Sequence, residues 1–403
     1  MAGAPTFRLE PPRLRTTSDP LEERHATWFE LYFDLVFVVA VGELATALAR
    51  DPSAAVFARF AGLFVIVSWA WAGFTLYANR FDTDDLIYRL AKSGAMLAIA
   101  ALAINIHLVM RGDGGTVEFA LAYSAVRALL VALYIRARRY VGGRGGDLID
   151  RYIASFSFTT GLWLLSAFVP EPYRVLLWGL AIAIDLTTPP FAWRPLAGAP
   201  VVISHLTERF GIFFIIVLGE AVTGVVTGVA GFEFDLESGA AAGMCFAIAL
   251  ILWWIYFDLA DTSVVGRGML GLVFPYSHFP LLAGVAAFGA GTKLAITTAT
   301  APGLAAGARW ALAGGIAAFA LSLSILHLGA EWTSFRDRTF IGRLGLATLA
   351  IALAAFGGGI APAAFVGVIA AGALAQLLLE ALTEEEGAAS VWEPSPEVPA
   401  GTV

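Results

Sequence analysis

Charge is scarce in this sequence. Only 14% of its 403 residues are Asp, Glu, Lys or Arg, where a soluble domain carries about 25%. Hydrophobic residues make up 59%, and the mean hydropathy is +0.77. That balance excludes a soluble enzyme, a disordered chain and a nucleic-acid binder, and it leaves a protein that crosses a lipid bilayer many times. Lysine is scarcer still: Lys92 and Lys293 stand against 23 arginines. The single cysteine, Cys245, lies in an apolar run, so no intramolecular disulfide and no multi-cysteine metal centre is expected. Also missing are a Gly-x-x-x-x-Gly-Lys-Ser/Thr loop, a Gly-x-Ser-x-Gly elbow and any His-x-x-x-His or His-Glu-x-x-His spacing. Nucleotide-driven transport by this chain alone and hydrolase chemistry are therefore not expected. The sequence predicts neither an enzyme nor a cofactor. The polar stretch through Arg24 has no short apolar core leading to a small-residue cleavage site, and so predicts no signal peptide.

What is present is a series of apolar runs. They fall at about 31–49, 56–77, 87–109, 117–135, 148–169, 174–192, 210–230, 240–260, 272–295, 305–329, 340–357 and 362–381. Each is near the length at which a helix crosses about 30 Å. The runs are continuous and rich in Ala and Leu, without the alternation of a membrane β-strand. The fold class expected is all-α: a polytopic bundle of twelve spans. With the N-terminus inside, the cytoplasmic segments hold seventeen arginines and the outer loops five. This distribution predicts a bacterial cytoplasmic-membrane protein with both termini cytoplasmic.

The chain also repeats itself. Phe33-Asp-Leu-Val-Phe-Val-Val-Ala-Val-Gly-Glu43 aligns without gaps on Phe210-Gly-Ile-Phe-Phe-Ile-Ile-Val-Leu-Gly-Glu220, and Thr46 falls on Thr223. Trp71-Ala-Gly-Phe74 echoes Trp254-Ile-Tyr-Phe257, and Asp150-Arg151 echoes Asp337-Arg338. Two six-helix repeats follow, 26–195 and 196–382, running in the same direction because six is even. Residues 1–25 and 383–403 are expected as disordered cytoplasmic tails.

Trp28-Phe-Glu-Leu-Tyr-Phe-Asp-Leu-Val-Phe37 and Glu208-Arg-Phe-Gly-Ile-Phe-Phe-Ile-Ile-Val-Leu-Gly-Glu220 resemble two signatures of the bacterial low temperature requirement protein A family. The resemblance runs from about residue 25 to 381, with Tyr32 where a second Phe is expected. It implies a multi-pass membrane protein named for a cold-growth phenotype, and it implies no particular activity. A fainter similarity links Phe33-Asp34, early in the first of two six-helix repeats, to potassium channels that carry Phe-Ser-Asp there. Here the Ser is absent and the second repeat has Gly211 in place of the acid.

Ionisable residues inside the bilayer cost about 2.5–3.5 kcal/mol each at a helix centre, which makes them the functional candidates. Glu43 and Glu220 lead, as equivalent carboxylates each placed after a Gly. Glu30 and Asp34 share a face one turn apart, near the cytoplasmic end. Glu43 lies roughly 14 Å further along the helix and about 180° around it. Arg127, Lys293 and the histidines are the possible cation partners. Lys293 reads either as a charge in the pathway, as a snorkelling side chain, or as a Schiff-base lysine, the last at odds with a twelve-span layout. Asp185 precedes Pro189-Pro190, which predicts either a carboxylate beside a broken helix or a helix that ends there. Asp258 and Asp261 read as a solvated helix end. His205 with Glu208-Arg209 reads as a cytoplasmic helix start, and His278 as either a cavity residue or an interhelical hydrogen bond. Trp69-Ala-Trp71 and Trp253-Trp254 are expected in interfacial belts or, alternatively, around an apolar pocket. Gly357–Gly359 reads as a loop or hinge.

Together these residues predict a secondary transporter. Glu43 and Glu220 would relay protons or cations, with Asp34, Asp185, Arg127 and Lys293 in secondary or charge-balancing roles. Its partners would be the lipid bilayer and a small solute or ion, with no nucleic acid and no oligomeric state indicated. The alternatives are a cation channel, a scaffold or sensor linked to cold adaptation, and a membrane-embedded lipid enzyme.

Overall fold

The computed structural model describes residues 9–15, 25–192, 202–230, 235–258, 271–329 and 335–384. Among them the chain forms twelve α-helices. The first six are α1 (Trp28–Arg50), α2 (Ala54–Arg80), α3 (Leu86–Arg111), α4 (Thr116–Arg138), α5 (Gly143–Ser166) and α6 (Tyr173–Phe191). The second six are α7 (Ile203–Val229), α8 (Leu236–Asp258), α9 (Val273–Thr297), α10 (Ala306–Gly329), α11 (Arg338–Phe356) and α12 (Pro362–Glu384). The Gly357–Gly359 segment is one 3-10 turn between α11 and α12. Of the N-terminal stretch expected as a tail, β1 (Arg13–Leu14) pairs antiparallel with β2 (Phe81–Asp82), clasping it to the end of α2. Residues 1–8, 16–24 and 385–403 lie outside the described residues, as does Asp261.

Ten helices are long and apolar enough to cross a bilayer. α5 and α6 are not among them: α5 opens on Arg144, Asp147, Asp150 and Arg151, and α6 carries Arg174, Asp185 and the polar run Thr187-Thr188-Pro189-Pro190. Both nevertheless belong to the bundle, α5 packing on α4 and α6 on α5. Arg174 donates to Thr116 and, eleven residues on, Arg127 meets Asp185, so α4 and α6 run in parallel at one level. Between them α5 runs the other way, with Tyr152 against Tyr134 at one end and Trp163 against Trp178 at the other.

Local chemistry sets the helix ends. Thr27 and Glu30 form a reciprocal capping box at the start of α1, and Ser53 caps α2. Asp85 caps α3 by accepting the Tyr88 N–H at 3.2 Å, and it also accepts two hydrogen bonds from Arg136 at 2.9 and 2.7 Å. Burial raises the Asp85 pKa, but the Arg136 guanidinium and the N–H donors outweigh burial and hold the carboxyl below its ordinary value. Its contribution to stability is thus present above the unfolded value near 3.9 and lost as pH falls through the lower folded value. Asp85→Ala is expected to cost about 1–2 kcal/mol near neutral pH. In thermal melts the gap from wild type should narrow as pH drops below about 4.

Of the two readings at Pro189-Pro190, the helix that ends there is the one seen, with no break before it. α6 continues to Phe191. Pro190 lacks the N–H that would have bonded the Leu186 carbonyl, and the Tyr276 hydroxyl of α9 donates to that carbonyl instead. Asp185 is within the helix and fully buried in the bundle.

The two sets of six pack in the same order. In the first, α1 touches α2 and α3, and α3 to α6 pack in sequence; in the second, α7 touches α8 and α9, and α9 to α12 pack in sequence. In the second set alone, α8 also packs closely on α12. The sets meet along a seam where α1 and α2 face α7 and α9.

Candidate functional site

The seam is built on two helices that run in the same direction. Glu30 meets His205 and Asp34 meets Arg209, two pairs each separated by 175 residues. Only side-by-side parallel helices hold such a constant offset over successive turns. On α1 the acids are four residues apart and share a face; on α7 the basic residues do the same.

Asp34 is the centre of the first cluster. Its Oδ1 accepts from Arg209 Nη2 at 2.6 Å and from the Trp71 indole N–H at 2.7 Å. Trp71 comes from α2 and stacks on Phe213 of α7, ring centroids 4.3 Å apart. Glu30 lies 3.4 Å from His205 Nε2 and 3.9 Å from Arg209 Nη1. Lys92 of α3 stands 4.7 Å from the centre of the Phe33 ring and within electrostatic reach of both carboxylates. Two carboxylates thus face two fixed cations and one histidine, all of them buried. The helix ends add further ties. Asn79 of α2 exchanges two hydrogen bonds with the backbone of Val202, and the Ala26 N–H donates to Glu208. Arg209 is not a cytoplasmic surface charge, and Trp69 and Trp71 are not in an interfacial belt. Both tryptophans are buried, whereas Trp253 and Trp254 are substantially exposed.

Further along the seam the chemistry changes. A methyl group on Gly42 would stand 3.0 Å from Glu220 Oε1, so the carboxylate lies directly against the α1 backbone. Glu43 is close enough for its charge to act on Glu220. Both carboxylates are half-buried. Among the described residues neither has an ion pair or a hydrogen bond. Behind Glu220, a methyl on Gly289 of α9 would sit 2.8 Å from the Glu220 carbonyl carbon and oxygen, so α7 and α9 touch backbone to backbone there.

None of the expected cation partners reaches these two glutamates. Arg127 bonds Asp185 at 2.9 Å, with both side chains fully buried. Thr159 donates to the same Asp185 oxygen at 2.8 Å, and Phe156 lies under the guanidinium at 4.3 Å. Lys293, four residues before the end of α9, makes no ion pair with a described residue. His278 donates from Nδ1 to the Phe274 carbonyl, which leaves Nε2 to accept from the Tyr256 hydroxyl at 2.8 Å. That is the interhelical bond, between α8 and α9. His327 meets Asp337 at 3.2 Å.

A third buried pair escaped notice in the sequence. Arg343 of α11 grips Glu380 of α12 with two hydrogen bonds, at 2.8 and 2.6 Å, and Gln376 donates to the same carboxylate. The signal was there: each residue lies inside an apolar run, and the two runs are consecutive.

A bundle of this many apolar helices, with its charges gathered in buried pairs, defines a polytopic helical membrane protein. The family described as bacterial low temperature requirement A protein (LtrA) matches residues 25–379, and the chain belongs to it. It is also 30% identical over 289 residues to uncharacterized protein RA0937 of Rhizobium meliloti (strain 1021), an alignment that covers 66% of this chain and 68% of that one.

Proposed function

We propose that this protein is a secondary transporter of the bacterial cytoplasmic membrane, with Glu43 and Glu220 as its proton or cation relay. One observation carries the reading. The acids buried in the helices, Glu30, Asp34, Asp185 and Glu380, each have a basic partner, while the half-buried Glu43 and Glu220 lie within electrostatic reach of each other and have none among the described residues. A carboxylate held unpaired at membrane depth is costly and marks an ion pathway by default. Two of them side by side repel, and a proton or small cation between them relieves that repulsion. Their position, where the two sets of six helices meet, is where transporters built from repeats bind.

The matching order of helix contacts supports reading the two sets as parallel repeats. The arginine distribution supports cytoplasmic termini. Asp34, Arg127 and Asp185 then balance charge, and Lys293 is a further basic group near the outer end. In this reading no covalent chemistry and no cofactor is involved, and the partners are the bilayer and a small solute or ion. Purified protein in liposomes should show proton or monovalent-cation flux. The double change Glu43→Gln plus Glu220→Gln should lower it by about a hundredfold while leaving the melting temperature within a few degrees. Flux that survives the double change makes the glutamates structural. The turnover rate of the wild type separates a carrier from a channel.

A further inference from the structure

We infer that Glu30 and Asp34 on α1, with His205 and Arg209 on α7 and the Trp71 indole between them, form a latch. It closes one end of the seam and has to part for that end to open. The inference rests on reading Glu43 and Glu220 as the site that the seam serves.

The seam is bonded unequally along its length. At the N-terminal ends of α1 and α7, eight residue pairs bond across it: Asp34 to Arg209, Glu30 to His205, Glu30 to Arg209, Thr75 to Arg209, Asn79 to Val202, Asn79 to His205, Ala26 to Glu208 and His25 to Glu208. Beyond Asp34, no described side chain of α1 bonds to α7, and the next charged residues within electrostatic reach of each other across it are Glu43 and Glu220. Opposite charges hold one end together and like charges push at the other. Two helices loaded in this way favour separation at the glutamate end while the acid–base end stays shut.

The latch is composed for reversible parting. Asp34 uses one oxygen for both Arg209 and Trp71, and among the described residues its Oδ2 has no hydrogen bond and Arg209 Nε and Nη1 have none. Lys92 is within reach of both acids from α3, so a positive charge remains beside them when α7 withdraws. The indole is the hinge of the arrangement: it belongs to α2 and donates to α1, and its ring is stacked on α7.

Accessibility of a cysteine tests this without any flux measurement. Val41 lies two turns beyond Asp34 on the same stripe of α1 and is fully buried. In a Cys245→Ser background, the cysteine introduced by Val41→Cys is challenged with a membrane-impermeant thiol reagent from the side of the α1 N-terminus. With the latch intact it should stay protected. Asp34→Asn should raise its labelling by about tenfold. The exchanged pair Asp34→Arg plus Arg209→Asp should restore protection. Native Cys245, buried in α8, reports folding: in a parallel Asp34→Asn sample that keeps it, Cys245 should stay unlabelled. If Asp34→Asn labels Cys245 and so is unfolded, Trp71→Phe decides, because it keeps the ring and removes only the N–H. Continued protection in a folded Asp34→Asn or in Trp71→Phe overturns the latch, as does an exchanged pair that folds without restoring protection. A failed relay shows instead as flux surviving the glutamate changes, with these labelling results unaffected.

Discussion

Arg127→Ala is expected to lower the stability of the detergent-solubilised protein by about 3–5 kcal/mol. The side chain removed is fully buried, and so is the Asp185 it leaves behind. Thr159 still donates to Asp185 Oδ1, but one neutral hydroxyl does not balance a carboxylate away from water. The loss comes mostly from the stranded charge rather than from the bond. Asp185→Ala alone should therefore be nearly as damaging, and Arg127→Met plus Asp185→Leu should recover most of the loss. Melting followed by tryptophan fluorescence distinguishes these outcomes, since Trp163 and Trp178 pack beside the pair's helices. A double change no better than either single one shows that the pair is needed for more than charge balance.

Gly289→Ala is the second large effect expected. The added methyl meets main-chain atoms, the Glu220 carbonyl at 2.8 Å and the Ala221 nitrogen at 2.9 Å, and neither can rotate away. The helices α7 and α9 must separate, at a cost of about 1–3 kcal/mol. Gly219→Ala is the control, because nothing lies within 4 Å of its added methyl; it should melt within about half a kilocalorie per mole of wild type. Gly289→Ala also shifts the backbone that carries Glu220, so flux should fall in this variant and persist in the control. Equal melting of the two variants contradicts the close contact of α7 and α9.

The twelve helices were legible because hydropathy over about twenty residues is a strong and local signal. The buried charges were legible one at a time, as Asp34, Arg127 and Asp185 each stand inside an apolar run. Their pairing was not, because it joins residues 58 and 175 positions apart and depends on which helices become neighbours. Arg209 shows the difficulty most clearly. Beside Glu208 at a helix start it looks like one more arginine on the cytoplasmic side, yet it is six residues inside α7 and faces an acid. Trp71 was misplaced for a related reason: a tryptophan in a membrane helix usually takes its N–H to the interface, and here the N–H finds a carboxylate within the bundle. Thr27 and Glu30, spaced as a capping box, offered a sign that α1 begins before its apolar run. Of the two readings at Pro189-Pro190, the helix ends there without an earlier break, because the freed carbonyl finds a donor on another helix, Tyr276, which no local pattern reveals.

The charges on α1 and α7 also determine which assemblies of half-chains are possible. Residues 26–195 present acids at 30 and 34 along the seam; residues 196–382 present a histidine and an arginine at the matching turns. A first half set against its own copy would bring four carboxylates together, and a second half against its copy would bring its arginines together. Both pairings are penalised by like-charge contact in a medium of low dielectric. Joined in one chain or supplied as two fragments, the halves are thereby directed to each other, as a key is to a lock cut for it alone.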